Sequence, residues 1–195
     1  MTTVIIKYPA GNVQSVILAL KRLGIHPVLS DQKEVIKSAD KIILPGVGEA
    51  KSAMIYLRKK GLHDILPSLK QPVLGICLGM HLLCKSSEEN DTLCLGIFDL
   101  YVKKFNTQLT YKVPHMGWNT VFNIKGKLFE KMVENHFQYF VHSYYVPTNV
   151  YTIASAGHIY PFSAALQKYN FYATQFHPEK SSFEGQKILK NFIKL

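Results

Sequence analysis

Short apolar runs set between stretches of helical spacing fill residues 1–80, and this alternation limits the fold more than any other feature of the chain. Thr3–Tyr8, Pro27–Leu29, Lys41–Leu44 and Pro72–Ile76 are apolar or β-branched and too short to be helices. After the first run, Pro9-Ala10-Gly11-Asn12 breaks the strand. Val13, Val16, Ile17, Leu20 and Leu23 then recur at helical spacing, with Asn12 expected as the N-cap and Gly24 as the residue that ends the helix. Pro45-Gly46-Val47-Gly48 closes the third run, and a helical stretch follows to Lys60, stopped by Gly61. Strands apolar on both faces, alternating with amphipathic helices, specify a parallel sheet covered on both sides.

The second half changes character. Leu100–Phe105, Asn119–Phe122, Phe137–Tyr145, Tyr151–Ala156, Ala164–Gln167 and Phe171–Phe176 read as strands separated by turn signals, which predicts antiparallel additions to the sheet. Phe183–Leu195 puts Ile188, Leu189, Phe192 and Ile193 on one helical face. The expected fold class is therefore α/β: a central mixed, mostly parallel sheet flanked by helices. With 195 residues, no repeat and no linker, the chain reads as one domain, 1–195.

Hydrophobic residues at 47% and charged residues at 18% exclude a disordered chain. No apolar run approaches the ~18 residues of a membrane span, and the N-terminal MTTVIIKYPAGN lacks the marks of a signal peptide. A cytoplasmic location without membrane association is expected. The net charge is 23 − 13 = +10, but Lys21-Arg22, Arg58-Lys59-Lys60 and Lys103-Lys104 are scattered and sit near element ends. They read as solvated surface or as contacts for an acidic protein partner. No basic-aromatic stripe marks a nucleic-acid module. Cys77, Cys84 and Cys94 are odd in number and form no C-x-x-C, so neither a disulfide framework nor a metal site is expected. Cys84, seven residues after Cys77, is read as a small core residue lower on the same helix face, and Cys94 as another core residue.

Gly75-Ile76-Cys77-Leu78-Gly79 has the form G-x-C-x-G at a strand-to-helix junction, the thiol version of a nucleophile elbow. Such a turn projects the side chain from the strand end, and the flanking glycines relieve crowding. The Leu78 N–H and the helix N-terminus would face a developing oxyanion. The plain alternative is a buried cysteine chosen for its size. A thiol nucleophile needs a base, and the base an orienter. His177 follows a predicted strand in Phe176-His177-Pro178-Glu179, where Glu179 is near enough in sequence to hold one ring nitrogen while the other faces the thiol. Alone, His177 could equally be a surface turn histidine.

GICLG and FHPE together resemble the class I, or triad, glutamine amidotransferases. Gly11–Val16, Leu44–Gly48, Val113–Asn119, Tyr139–Tyr145 and Ala173–Ser181 narrow the resemblance to the HisH family, the glutaminase subunits of imidazole glycerol phosphate synthase, and it runs essentially end to end. The resemblance implies a Cys77–His177–Glu179 triad that hydrolyses glutamine, with no cofactor. It implies an oxyanion hole at Leu78, Val47 and Gly48, and glutamine contacts from Gly46, Gly48, His81, Glu89, Ser143 and Tyr144. It also implies a heterodimer with a (β/α)8-barrel cyclase of the HisF type. Ammonia would pass to that cyclase near Trp118, Tyr139 and Lys180, although the two aromatics could instead be ordinary core residues. One departure stands out: the family usually reads CLGMQ, and here His81 replaces the glutamine. The substitution is compatible with weaker glutamine binding, with a subunit serving another synthase such as one that amidates a surface sugar, or with a catalytically weakened regulatory subunit.

Overall fold

The computed structural model describes residues 1–9, 12–106 and 111–195; Ala10 and Gly11 of the predicted break lie outside them. In chain order the elements are β1 (Thr3–Ile6), α1 (Val13–Arg22), β2 (Val28–Ser30), α2 (Lys33–Ser38), β3 (Lys41–Leu44), α3 (Ala50–Lys59), α4 (Leu62–Ile65), β4 (Val73–Ile76) and α5 (Leu78–Leu83). There follow β5 (Ser86–Ser87), β6 (Thr92–Leu93), β7 (Tyr101–Lys104), β8 (His115–Val121), β9 (His136–His142), β10 (Tyr144–Tyr145), β11 (Thr152–Gly157), β12 (Pro161–Lys168), β13 (Phe171–Thr174) and α6 (Ser182–Lys194).

The central sheet runs β11-β12-β13-β4-β3-β1-β2. From β13 through β2 every neighbouring pair is parallel, whereas β12 is antiparallel to both β11 and β13. Alternate side chains bury on opposite faces, as the period of a strand requires. Val4 and Ile6 of β1 and Ile42 and Leu44 of β3 enter one core, and Ile5, Ile43 and Leu74 enter the other. Both cores are apolar, which is why these strands show no polar alternation in sequence. Leu20 of α1 and Ile188, Leu189 and Phe192 of α6 cover the second face, and Met54 and Leu57 of α3 cover the first. The basic pairs Lys21-Arg22 and Arg58-Lys59 fall in the last turns of α1 and α3, where the helix dipole favours positive charge.

Three expectations need correction. Only β11, β12 and β13 add to the central sheet from the second half. Leu100–Phe105 supplies β7 of a separate small sheet, ordered β10-β7-β5-β6, and β8 and β9 form a hairpin tied back to β11 by a Phe122–Ser155 bridge. The hairpin alternates exposed and buried residues, so its outer face stays free. The predicted strand Phe137–Tyr145 is broken at Ser143, whose carbonyl accepts from Phe105 N–H at 3.0 Å. Third, α5 ends at Leu83, so Cys84 lies just past the helix in extended backbone rather than on its face. It is buried all the same, and burial raises its pKa.

Candidate active site

Cys77 sits between the last residue of β4 and the first of α5 with φ 50° and ψ −103°. Such a backbone costs a non-glycine residue about 1–3 kcal/mol and persists only where the surroundings impose it. Here they do. Cys77 N–H donates to the Thr174 carbonyl at 2.7 Å, and its own carbonyl accepts from His81 N–H at 3.2 Å. The flanking glycines serve close approach. A Cβ on Gly79 would lie 2.0 Å from the Leu44 carbonyl oxygen, and one on Gly75 would lie 2.7 Å from the Gly79 carbonyl group. The start of α5 is therefore pressed onto the ends of β3 and β4.

Strand β13 runs parallel beside β4, with Thr174 in register with Ile76. Residues leaving the two strands therefore emerge at one edge, which brings Cys77 and the segment 175–179 together. Gln175 Nε2 reaches the Cys77 Sγ at 3.7 Å. His177 is fully buried and its Nδ1 lies 2.8 Å from Glu179 Oε1. Its Nε2 has no hydrogen-bond partner among the described residues, which leaves that nitrogen for the thiol. Burial pushes the His177 pKa down, but the charge of the Cys77 sulfur beside it and of Glu179 pushes it up further, and the net direction is upward. The arrangement favours a protonated imidazole facing the Cys77 sulfur.

Glu179 is itself held. Its Oε1 also accepts from the Asn12 side-chain amide. Asn12 precedes α1 but has φ 68° and makes no capping bond, so its expected role as N-cap is not what it does. The left-handed backbone swings the amide away from the helix and onto the carboxylate.

A cavity of about 240 Å³ opens at the thiol, lined by Val47, Gly48, Cys77, Leu78, His81, Glu89, Pro114, Val141, His142, Ser143 and Tyr144. That is roughly eight waters' share of liquid volume, the scale of a small amino acid. Val47, Gly48, Leu78, His81, Glu89, Ser143 and Tyr144, all singled out in sequence, meet there. Gly48 has φ 140°, a conformation for glycine. Gly46 is not among the lining residues; it packs beneath them against Leu78 and the Tyr8 hydroxyl. Glu89 Oε2 accepts from Ala50 N–H at 2.8 Å, and partial burial raises its pKa.

His81 Nε2 lies 2.8 Å from Gln175 Oε1, which makes Nε2 the protonated nitrogen. Gln175 thus bridges His81 and Cys77. Burial holds the His81 pKa down to about 4 against the smaller upward pull of that bond. In the unfolded chain the ring takes up a proton near pH 6.5, while the folded ring resists until about pH 4. Acidification through that window therefore favours unfolding. His81→Gln is expected to lose roughly 2–3 kcal/mol less than the parent between pH 7.5 and pH 4.5, measured by urea unfolding at both pH values. Equal losses would contradict the buried neutral ring.

Trp118, Tyr139 and Lys180 form a group on the outer face of the β8–β9 hairpin. Trp118 meets Tyr139 edge-on at 6.0 Å, and Lys180 Nζ lies 6.0 Å over the Tyr139 ring. Trp118 is 53% exposed, so it is no core aromatic. Met116 and Phe137 extend the exposed apolar face. This face touches His177: the Tyr139 carbonyl accepts from His177 N–H at 2.9 Å, and Tyr139 N–H donates to Ser181 Oγ, which in turn donates to the His177 carbonyl at 2.7 Å.

The roles of Asn12, Gln175 and His142 were missed in sequence. For Gln175 a signal existed: it lies two residues before His177, in the segment that leaves β13 beside Cys77. For Asn12 the partner is 167 positions away, beyond any local pattern.

The class-I glutamine amidotransferase family profile matches residues 4–195. Imidazole glycerol phosphate synthase subunit HisH of Bacteroides fragilis is 55% identical over 196 residues, covering all of both chains. That of Escherichia coli K12 is 46% identical over 197 residues, again covering both chains in full. Among solved structures, one titled a glutamine amidotransferase superposes with TM-score 0.76 at 20% identity, covering 98% of this chain and 97% of that one. A glutamine amidotransferase from Thermotoga maritima gives TM-score 0.65 at 14% identity, covering 100% of this chain and 81% of that one. At such identities the two structures speak for the fold alone. Profile, full-length relatives and fold agree that the chain belongs to the class-I glutamine amidotransferase family, in its HisH branch.

Proposed function

We propose that the chain is the glutaminase subunit of an imidazole glycerol phosphate synthase in histidine biosynthesis. It hydrolyses glutamine to glutamate and ammonia and passes the ammonia to a (β/α)8-barrel cyclase, which converts PRFAR to imidazole glycerol phosphate and AICAR. The reading is supported by one observation: Cys77 lines a cavity of amino-acid size, and behind it the buried His177, paired with Glu179 at 2.8 Å, lies beside the sulfur. The Cys77 thiolate attacks the side-chain amide carbon of glutamine. The Leu78 N–H, with a second donor from Val47-Gly48, stabilises the oxyanion. The proton on His177 Nε2 goes to the departing nitrogen, which leaves as ammonia, and a glutamyl thioester remains on Cys77. His177 then takes a proton from water, whose oxygen attacks the thioester and releases glutamate, while the proton returns to the thiol pair. Glu179 holds the ring in orientation and compensates its charge. Side chains and water supply this chemistry. Glu89, Ser143, Tyr144 and His81 are positioned to bind the amino-acid end of the substrate.

Ammonia released into water would be protonated and lost as a nucleophile, so a partner must cover the exit. The exposed face of Met116, Trp118 and Phe137, with the half-buried Tyr139 next to His177, suits that docking. Trp118→Ala is expected to weaken the complex about 30- to 100-fold, the usual cost of truncating an aromatic anchor, read by titration calorimetry against the cyclase. An unchanged dissociation constant would move the interface elsewhere. The function itself is tested by glutamate release with and without a barrel cyclase and PRFAR. Stimulation by the liganded cyclase supports the reading; a tight complex with no glutamate release would make the chain a scaffold, and release that only another synthase stimulates would assign a different acceptor.

A further inference from the structure

A chain of side-chain hydrogen bonds runs from the edge of the central sheet to the wall of the cavity. Asn119 Nδ2 donates to the Gly157 carbonyl on β11 at 2.7 Å, and lies 3.1 Å from His115 Nε2. His115 Nδ1 lies 2.9 Å from His142 Nε2, and His142 Nδ1 lies 2.7 Å from the Tyr144 carbonyl. His115 and His142 are directly paired across the hairpin, and both are buried.

The proton positions follow from the ends. The Tyr144 carbonyl can only accept, so His142 carries its proton on Nδ1 and offers Nε2 as an acceptor. His115 must then donate from Nδ1, which leaves its Nε2 to accept from Asn119. The amide cannot be flipped to suit another pattern, because its Oδ1 already accepts from Thr120 N–H at 2.8 Å and its Nδ2 serves Gly157. A second proton on His142 would face the His115 N–H, and one on His115 Nε2 would face the amide N–H. The surroundings favour two neutral rings: His115 stacks on Phe140 at 5.1 Å and on His158 at 4.3 Å, and His142 packs against Phe105 and Phe162. Burial pushes both pKa values down.

We propose that Asn119, His115 and His142 form a one-directional relay that positions the Ser143–Tyr144 wall of the cavity from the partner-facing hairpin, making both histidines positioning residues for substrate binding. The assignment of glutamine to that cavity rests on the proposed function; the relay itself does not. The relay matters at this place because Ser143 breaks the strand between β9 and β10. Past that break the backbone leaves β8 and pairs with β7, where the Ser143 carbonyl accepts from Phe105 N–H and Tyr144 stands opposite Lys104, and His142 Nδ1 adds a side-chain hold on the Tyr144 carbonyl.

Two measurements on the full-length chain test this. Nitrogen-15 NMR of the imidazoles at pH 7 is expected to find both His115 and His142 neutral and protonated on Nδ1. The Nε2–H form at either ring would overturn the relay. In the glutaminase assay with the cyclase, His115→Phe keeps a ring but removes the donor, and is expected to raise the KM for glutamine about tenfold, the effect of one buried hydrogen bond, with a much smaller fall in kcat. His115→Asn restores an N–H near the Nδ1 position and is expected to recover most of the loss. If His115→Phe does not fold, Asn119→Ala at the half-exposed end of the relay reads the same KM. An unchanged KM in the folded variant, or no rescue by Asn, would overturn the positioning role. If the parent chain hydrolyses no glutamine, the proposed function fails while the NMR result still decides the relay.

Discussion

Cys77→Ala is expected to abolish glutamate release, lowering it by a factor on the order of 10⁴ or more, while leaving the fold and the complex with the cyclase intact. The sulfur is the only thiol among the described residues that line the cavity, and it is the group expected to carry the acyl intermediate. It lies at the cavity wall beside the start of α5 and within 3.7 Å of Gln175 Nε2. Removing it leaves the backbone donors and the binding residues in place, so glutamine should still bind. The cyclase in the mutant complex should still make imidazole glycerol phosphate when an ammonium salt is supplied, because only the ammonia source has been lost. Parallel assays with glutamine and with ammonium chloride read the two activities. Residual glutamine-dependent turnover near the parent rate would remove Cys77 from the mechanism. Loss of both activities would mean that the variant had damaged the assembly instead.

The second large effect concerns Gly79→Ala. A methyl there would lie 2.0 Å from the Leu44 carbonyl oxygen. The clash is with backbone at the end of a buried strand, so no rotamer change relieves it. Either α5 lifts from β3 or the elbow opens, and both move Cys77. Overpacking of this kind costs about 3 kcal/mol or more, which for a chain of this size lowers Tm by on the order of 10 °C. Gly157→Ala is the control: nothing lies within 4 Å of its Cβ position, and its Tm should shift by no more than about 2 °C. Thermal unfolding followed by circular dichroism compares the two. Equal, small shifts would show that the elbow is not pressed against β3 as described.

Much of this architecture was legible because its causes are local. The strands within the early runs, Thr3–Ile6, Lys41–Leu44 and Val73–Ile76, are buried on both faces, and that condition writes itself as mostly apolar sequence without alternation. The G-x-C-x-G turn was legible because two glycines are needed where α5 meets the ends of β3 and β4. His177 and Glu179 are two residues apart and share one short turn, so their pairing also left a local mark. What stayed hidden depends on contacts between distant segments. Asn12 carries the features of a helix cap, and only the fold reveals a carboxylate within its reach. The hairpin of β8 and β9 looks in sequence like more central sheet, because its strands carry the same β-branched and aromatic residues, and which sheet they pair in depends on distant segments. The six residues of α2 are too few to display a period. The histidine relay is invisible in sequence, since it depends on register across the hairpin and on a strand break at Ser143.

The most direct test of the central claim is chemical trapping. The full-length chain is treated with 6-diazo-5-oxo-L-norleucine, a glutamine analogue that alkylates the nucleophile which attacks its carbonyl region, and is then mapped by peptide mass spectrometry. The account predicts one adduct, on Cys77, that free glutamine suppresses and that His177→Ala slows strongly. No adduct, or modification of Cys84 or Cys94 at a rate indifferent to glutamine, would contradict it.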